Sequence, residues 1–318
     1  MDIPVNSVEM EEIAPEEAFS ILGNETRMEI LRVLWQAKGP YSFSELRTEA
    51  APDDEGNLNY HLGKLTPHFV RRTDDGYVLR FAGEQVVRAV LTGTITSDPT
   101  IPPEPTAEEC LYCGTAVEMT YREEVISVQC PECDGAIGGT YPDGTCMQYE
   151  FPPAGLANRE REEIIDAAHV LYDSKIAPMM KGVCPECAGQ VSISHDACSD
   201  HESDDREVCP SCETRYAVWA QYQCENCRYA RQFPPWYVAL NHPAVIAFLY
   251  RHGLAELVPV RKITGDNAKF MRRITETVVE TDPYRFEVTV PVEGETLVVS
   301  LNDDHDVLTA TVTDDDGE

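Results

Sequence analysis

Ten of the twelve cysteines stand in five Cys-x-x-Cys pairs: Cys110/Cys113, Cys130/Cys133, Cys184/Cys187, Cys209/Cys212 and Cys224/Cys227. Such a turn aims two thiolates at one point about 2.3 Å from a shared Zn²⁺, and two turns close a tetrahedron. A catalytic zinc keeps one position open for water, whereas these ligands come in fours, so structural metal is expected. A redox Cys-x-x-Cys has no need of a second pair. His-Glu-x-x-His does not occur, and proline follows the cysteine, as in Cys184-Pro185, instead of preceding it as in zinc deaminases. With no phosphate loop, nucleophile–base pair or paired-carboxylate site in view, the chain is not expected to be an enzyme.

Cys110, Cys113, Cys130 and Cys133 flank Val117–Gln129, a strand-like stretch, which reads as a zinc ribbon over 108–155. Between 184 and 227 three pairs plus Cys198 and His201 make eight ligands, enough for two sites. The expected arrangement is nested, with Cys184, Cys187, Cys224 and Cys227 as an outer site. Cys198, His201, Cys209 and Cys212 form an inner one between ribbon strands near Val191–Ser194 and Arg215–Tyr222. A rival arrangement joins 184/187 to 209/212 and leaves 224/227 with Cys198 and a histidine. His195 competes with His201 as the imidazole. Three zinc ions are expected either way, with Cys146 left over as a small buried hydrophobe.

The elements around these ligands predict an α+β multidomain chain. Residues 1–97 hold helices at Ala18–Leu22 and after Asn24, a capping box at Ser42–Glu45, and a helix through Leu58, Leu62 and Leu65. The turn Asp74-Asp75-Gly76 makes a hairpin of its flanks, and Gly83–Gly93 is a last helix. Helices followed by a hairpin make a winged helix-turn-helix. Next come a proline-rich linker (98–107), the ribbon, a connecting helix (156–181) and a double-zinc module (182–235). The connecting helix, with Leu156–Lys175 as its core, either packs on both zinc modules or pairs with a second copy. A small α+β domain with an antiparallel sheet (236–318) ends the chain. Its helices are expected at His242–Gly253 and Asn267–Glu280, and its strands at 285–290, 296–301 and 307–313.

Leu22-Gly-Asn-Glu-Thr-Arg-Met-Glu-Ile-Leu31 and Asn59-Tyr-His-Leu62 resemble the ArsR-type regulators of the haloarchaeal branch over about residues 16–93, and the rest resembles the zinc-containing region attached to that domain. The helix that would carry that family's metal-sensing cysteines, Ser42–Glu49, has none. The resemblance therefore implies binding of double-stranded DNA and homodimerisation, not metal sensing at the family's own site. A recognition helix reads base edges in the major groove. Asn57, Asn59, Tyr60, His61 and Lys64 lie outside the leucine stripe and are the expected contacts, with Arg71 and Arg72 on the wing. Two alternatives stand beside a sequence-specific regulator. One is a basal-transcription adaptor resembling archaeal initiation factor E, working by contact with the transcription machinery. The other is a zinc or redox sensor switched at the Cys198/His201 site.

The net charge of −31, with six lysines against nineteen arginines, resembles proteins of salt-loving archaea. Between Ser20 and Ser97 nine basic and ten acidic residues leave a net of −1, so −30 lies elsewhere. DNA is thus expected to approach only the N-terminal region. At about 1 M salt the Debye length is near 3 Å, so binding is expected to tolerate molar salt. No apolar run is long enough to span a bilayer, and the opening residues lack a charged-then-apolar leader; a cytoplasmic protein with reduced thiols is expected.

Overall fold

The computed structural model describes residues 13–51, 57–138, 141–201, 208–254, 270–292 and 294–314. The chain divides into two units, 1–97 and 98–318.

In the first unit α1 (Pro15–Leu22) begins with a proline, placed where its missing N–H has no helical partner to lose. Asn24 caps α2 (Glu25–Gln36), its side chain accepting from the Arg27 N–H at 3.0 Å. The Ser42–Glu45 capping box is closed in both directions and starts α3 (Phe43–Ala50). Next come α4 (Leu58–Leu65), the antiparallel hairpin β1 (Val70–Thr73) and β2 (Gly76–Leu79), and α5 (Phe81–Leu91). Ile30, Leu31, Leu46, Leu58, Leu65 and Val70 are fully buried and tie these elements into one core. Tyr41 bridges to Tyr77 as a third rung on the hairpin. Gly76, at φ +139°, is needed there: a Cβ would stand 2.3 Å from the Tyr41 carbonyl oxygen.

The second unit opens with β3 (Ile101–Glu109), β4 (Ala116–Arg122), β5 (Val125–Gln129) and β6 (Thr145–Glu150), an antiparallel sheet in that order. The segment 98–107 is therefore not simply a linker. Its prolines sit on an edge strand, where only one side of the backbone must donate, and pairing with β4 slips where they fall. After a 3₁₀ turn (Pro153–Leu156), α6 spans Arg161–Met179. Its first half packs Ile164, Ile165 and Ala168 into the core of this sheet. Its last turns pack Ile176 and Met179 against β7 (Val191–Ala197), β8 (Val218–Cys224) and β9 (Ala230–Phe233), a second antiparallel sheet.

α7 (Pro235–Ala239) and α8 (Pro243–Arg251) follow, the latter capped by the His242 Nδ1, which accepts from the Ala244 N–H at 3.2 Å. They cover a meander of four strands, β10 (Thr275–Thr281), β11 (Tyr284–Val292), β12 (Glu295–Leu301) and β13 (Val307–Asp314). Val245, Phe248 and Leu249 meet Phe286, Val288, Val290, Leu297, Val299 and Leu301 in this core. The helix expected over 267–280 is corrected: residues 267–269 lie outside the described residues, and 275–281 pair with β11. Five of those seven residues are β-branched threonine or valine, which suits a pleated sheet better than a helix. No helix among the described residues is long and apolar enough to cross a membrane.

Candidate metal centres and helix face

Three groups of ligand atoms converge, each with all members within 4.8 Å of one another: Cys110, Cys113, Cys130, Cys133; Cys184, Cys187, Cys224, Cys227; and Cys198, His201, Cys209, Cys212. The nested arrangement is the one formed, and the rival pairing of 184/187 with 209/212 is not. Sulfur pairs stand at 3.6 Å (Cys110–Cys133), 3.4 Å (Cys113–Cys130), 3.6 Å (Cys184–Cys227) and 3.5 Å (Cys187–Cys224). In the third group the Cys212 Sγ lies 3.4 Å from the His201 Nδ1. A tetrahedron of metal–sulfur bonds about 2.3 Å long has edges of about 3.8 Å, so the donors fit a tetrahedral thiolate-binding ion. His195 is turned away from the third group and belongs to a different cluster.

The knuckles repeat one local design. The residue after the second cysteine is left-handed in four of five: Gly114, Ala188, Glu213 and Arg228, at φ 76°, 57°, 58° and 62°. This reversal sends the chain back, so that the first cysteine's N–H donates to the carbonyl five residues on, as in Cys184 to Gly189 at 2.9 Å and Cys224 to Tyr229 at 2.8 Å. Backbone N–H groups then point at sulfur: Glu132 to Cys130, Glu186 to Cys184 and Ser211 to Cys209, each at 3.4 Å. Three knuckles hold a non-glycine residue in a conformation costing about 1–2 kcal/mol, which a cross-linking ion would offset.

The thiols of one site differ. A hydrogen bond with Thr115 draws Cys113 down to about 6, and one from Asn226 draws Cys187 down to about 6. Burial pushes Cys133 up to about 12. The exposed thiol ionises readily, whereas the half-buried Cys133 needs a cation beside it. Cys146, on β6, stands next to Cys110 but outside the four-ligand group, and burial raises its thiol.

Two arginines to which the sequence reading gave no role join the modules, Arg215 buried and Arg231 half-buried. Arg215 is 4% exposed; its Nε donates to the Gly135 carbonyl at 2.7 Å and its guanidinium lies 3.8 Å over Tyr112. Arg231 on β9 pairs with Glu150 on β6 at 2.9 Å and stacks on Tyr229 at 4.3 Å. Their signal in the sequence was only that each stands in an aromatic run, Arg215-Tyr216 and Tyr229-Ala-Arg231.

In the first unit Asn57, Asn59, Tyr60 and Lys64 are exposed on or beside α4. His61 is corrected: it is 7% exposed and does not belong to that open face. A stripe of period 3.6 through Leu58, Leu62 and Leu65 takes in position 61 as well, three after Leu58 and four before Leu65. Arg71 and Arg72 are both exposed, but strand alternation sends them to opposite sides of the hairpin. Arg72 shares a side with its cross-strand partner Tyr77, 6.0 Å over that ring. Arg80, missed in the sequence, lines a recess with Arg71, Arg72 and the exposed Phe81.

The family described as Domain of unknown function (DUF7351) matches residues 107–307, and the one described as Domain of unknown function (DUF7347) matches residues 15–90. No curated protein and no solved structure matches the chain.

Proposed function

The chain belongs to the family described as Domain of unknown function (DUF7351), and from that premise we propose, on its residues alone, a DNA-binding transcriptional regulator built on structural zinc. The first unit is read as a winged helix-turn-helix of ArsR type, with α4 as the recognition helix and β1–β2 as the wing. The observation that carries this reading is the division of α4. Leu58, His61, Leu62 and Leu65 are buried, while Asn57, Asn59, Tyr60 and Lys64 face outward. An exposed Tyr60 at 58% beside two amides and a lysine has the chemistry of base-edge and phosphate contacts. Arg71, Arg72 and Arg80 line one recess at the hairpin and add positive charge to the same unit.

Zinc is the proposed occupant of the three groups, since soft thiolates in closed fours suit it and leave no open coordination position. Its role is to hold ribbons whose cores are small. Cys110, Cys130, Cys184 and Cys224 are themselves part of those cores. Two copies bound to a two-fold operator are the expected working form.

The test is a binding titration against DNA selected by crosslinking and sequencing. Lys64→Ala and Arg72→Ala should each weaken binding by roughly 1–3 kcal/mol, that is about five- to 150-fold. Unchanged affinity in both removes α4 and the wing as the DNA face. The −30 of charge outside residues 20–97 favours a second reading, an adaptor of the transcription machinery. Broad promoter occupancy following polymerase, in place of discrete peaks, would establish it.

A further inference from the structure

Within the second unit a cavity of about 270 Å³ lies where the first ribbon, α6, the second ribbon and the strand β10 meet. It sits just below the roughly 300 Å³ lower end of small-molecule sites, so its occupant is small. Its wall is aromatic to an unusual degree. Six of the chain's 14 tyrosines and two of its three tryptophans line it, Tyr112, Tyr149, Tyr172, Tyr216, Trp219 and Trp236 among them. The rings form two contacting groups. Tyr149 stacks on Tyr172 with centroids 4.2 Å apart, Trp219 meets Tyr216 edge-on at 5.4 Å, and Tyr216 leans on Trp236 at 6.2 Å.

Charge selects among occupants. Glu108, Glu109 and Glu276 line the cavity, against one basic residue, Arg272. Arg272 is already engaged, donating to the Leu111 carbonyl at 2.8 Å and lying 5.2 Å over Tyr112. His169, also on the wall, is held neutral by burial, its pKa down to about 4. Glu276 is engaged too, accepting from the Trp236 backbone N–H at 2.7 Å, and the wall still carries more carboxylates than permanent cations, which disfavours an anion. A cation would meet aromatic faces of the kind that already draw guanidinium groups in this region, as Arg215 over Tyr112 and Arg231 over Tyr172 show. The acidic body adds a field that concentrates cations.

We infer that this cavity is a binding site for a small organic cation of the methylated-ammonium class. A trimethylammonium group has no N–H to satisfy and spreads its charge over methyls that pack on ring faces, which matches a wall whose tyrosine, tryptophan and phenylalanine rings outnumber its glutamate, glutamine and arginine side chains. The inference does not depend on the DNA-binding reading, and its test involves no DNA.

The experiment is isothermal titration of the full-length, metal-loaded chain in KCl with choline and with its neutral carbon isostere, 3,3-dimethylbutan-1-ol. The two differ in charge and hardly in shape. Choline should bind at least about tenfold more tightly. Trp236→Leu should lose that binding, while Trp236→Phe, which keeps a ring, should lose only a few-fold. Retained metal content shows that each variant is folded. Equal binding of cation and alcohol, no saturable heat with choline up to about 50 mM, or undiminished choline binding by folded Trp236→Leu each overturns the inference. If Trp236→Leu fails to fold, the isostere comparison on the unaltered chain and the Trp236→Phe titration decide it.

Discussion

The Nε2 atoms of His195 and His305, 110 residues apart, face each other at 2.9 Å. With both rings neutral, one donates and the other accepts. The Asp303 carboxylate, 3.6 Å from the His195 Nδ1, can only accept, which favours hydrogen on that nitrogen. The His195 Nε2 then accepts from the His305 Nε2–H, and the Tyr222 hydroxyl, 2.5 Å from the His305 Nδ1, donates there. The chain of contacts ties β7 and β8 of the second ribbon to the β12–β13 turn of the C-terminal sheet.

This pair makes stability fall in acid. Burial lowers the His305 pKa to about 3, with the neighbouring His195 adding to the effect, and burial lowers His195 as well. The folded state therefore binds fewer protons than the unfolded chain, whose histidines titrate near 6.5. Stability is intact above about pH 6.5 and is lost as pH falls toward 3. His305 alone should contribute a loss of about 2 kcal/mol between pH 7 and pH 5. Urea unfolding at both pH values, at fixed excess metal, should show a shallower dependence in His305→Gln than in the unaltered chain; equal slopes refute the assignment.

Metal removal should act on one unit only. All twelve cysteines lie after residue 109, and the core of the first unit holds none. Elemental analysis should find about three zinc ions per chain, falling by one in Cys184→Ser and by one in Cys209→Ser. A strong chelator should abolish the dispersed amide signals of residues 98–318 and leave those of the first unit. Loss of both sets together would show that the first unit does not fold by itself.

Arg215 should be less replaceable than its position in a loop suggests. Arg215→Ala leaves the Gly135 carbonyl without its donor and removes the closer of the two guanidinium groups over Tyr112, at a cost of about 2–4 kcal/mol. Arg215→Lys keeps the charge but not the flat stacking group, and should fall between. Denaturant midpoints measure both. A change under about 0.5 kcal/mol for alanine would mean that the two modules are joined by other contacts.

Gly76→Ala should destabilise the first unit, because the added methyl meets the Tyr41 backbone carbonyl, which cannot rotate aside. Thermal unfolding of the Gly76→Ala chain should show a lowered transition for that unit, with the metal content unchanged.

DNA affinity should decline with KCl far less steeply than the loss of several orders of magnitude usual for a protein with many phosphate contacts. The −1 net charge between Ser20 and Ser97 leaves little attraction to screen, while salt relieves repulsion from the acidic remainder. A titration from low to molar KCl that follows the ordinary steep slope would contradict this.

Local chemistry was legible before any coordinates. Each Cys-x-x-Cys turn, the Asn24 cap and the Ser42–Glu45 box involve residues within three positions of one another, so spacing alone decides them. The exposed Asn59, Tyr60 and Lys64 follow from the same periodicity, and so does the burial of His61 once the stripe is drawn at its full width. What only the tertiary structure decided is distant in sequence. Which turns share an ion rests on partners such as Cys184 and Cys227, 43 residues apart, and turn propensity carries no information about that choice. The same holds for β3, which becomes a strand because β4 lies beside it, for the His195–His305 contact, and for a cavity whose wall is assembled from several elements. Hydrogen bonds and ring contacts across such distances depend on how sheets stack, and packing selects among partners that residue type alone leaves equivalent.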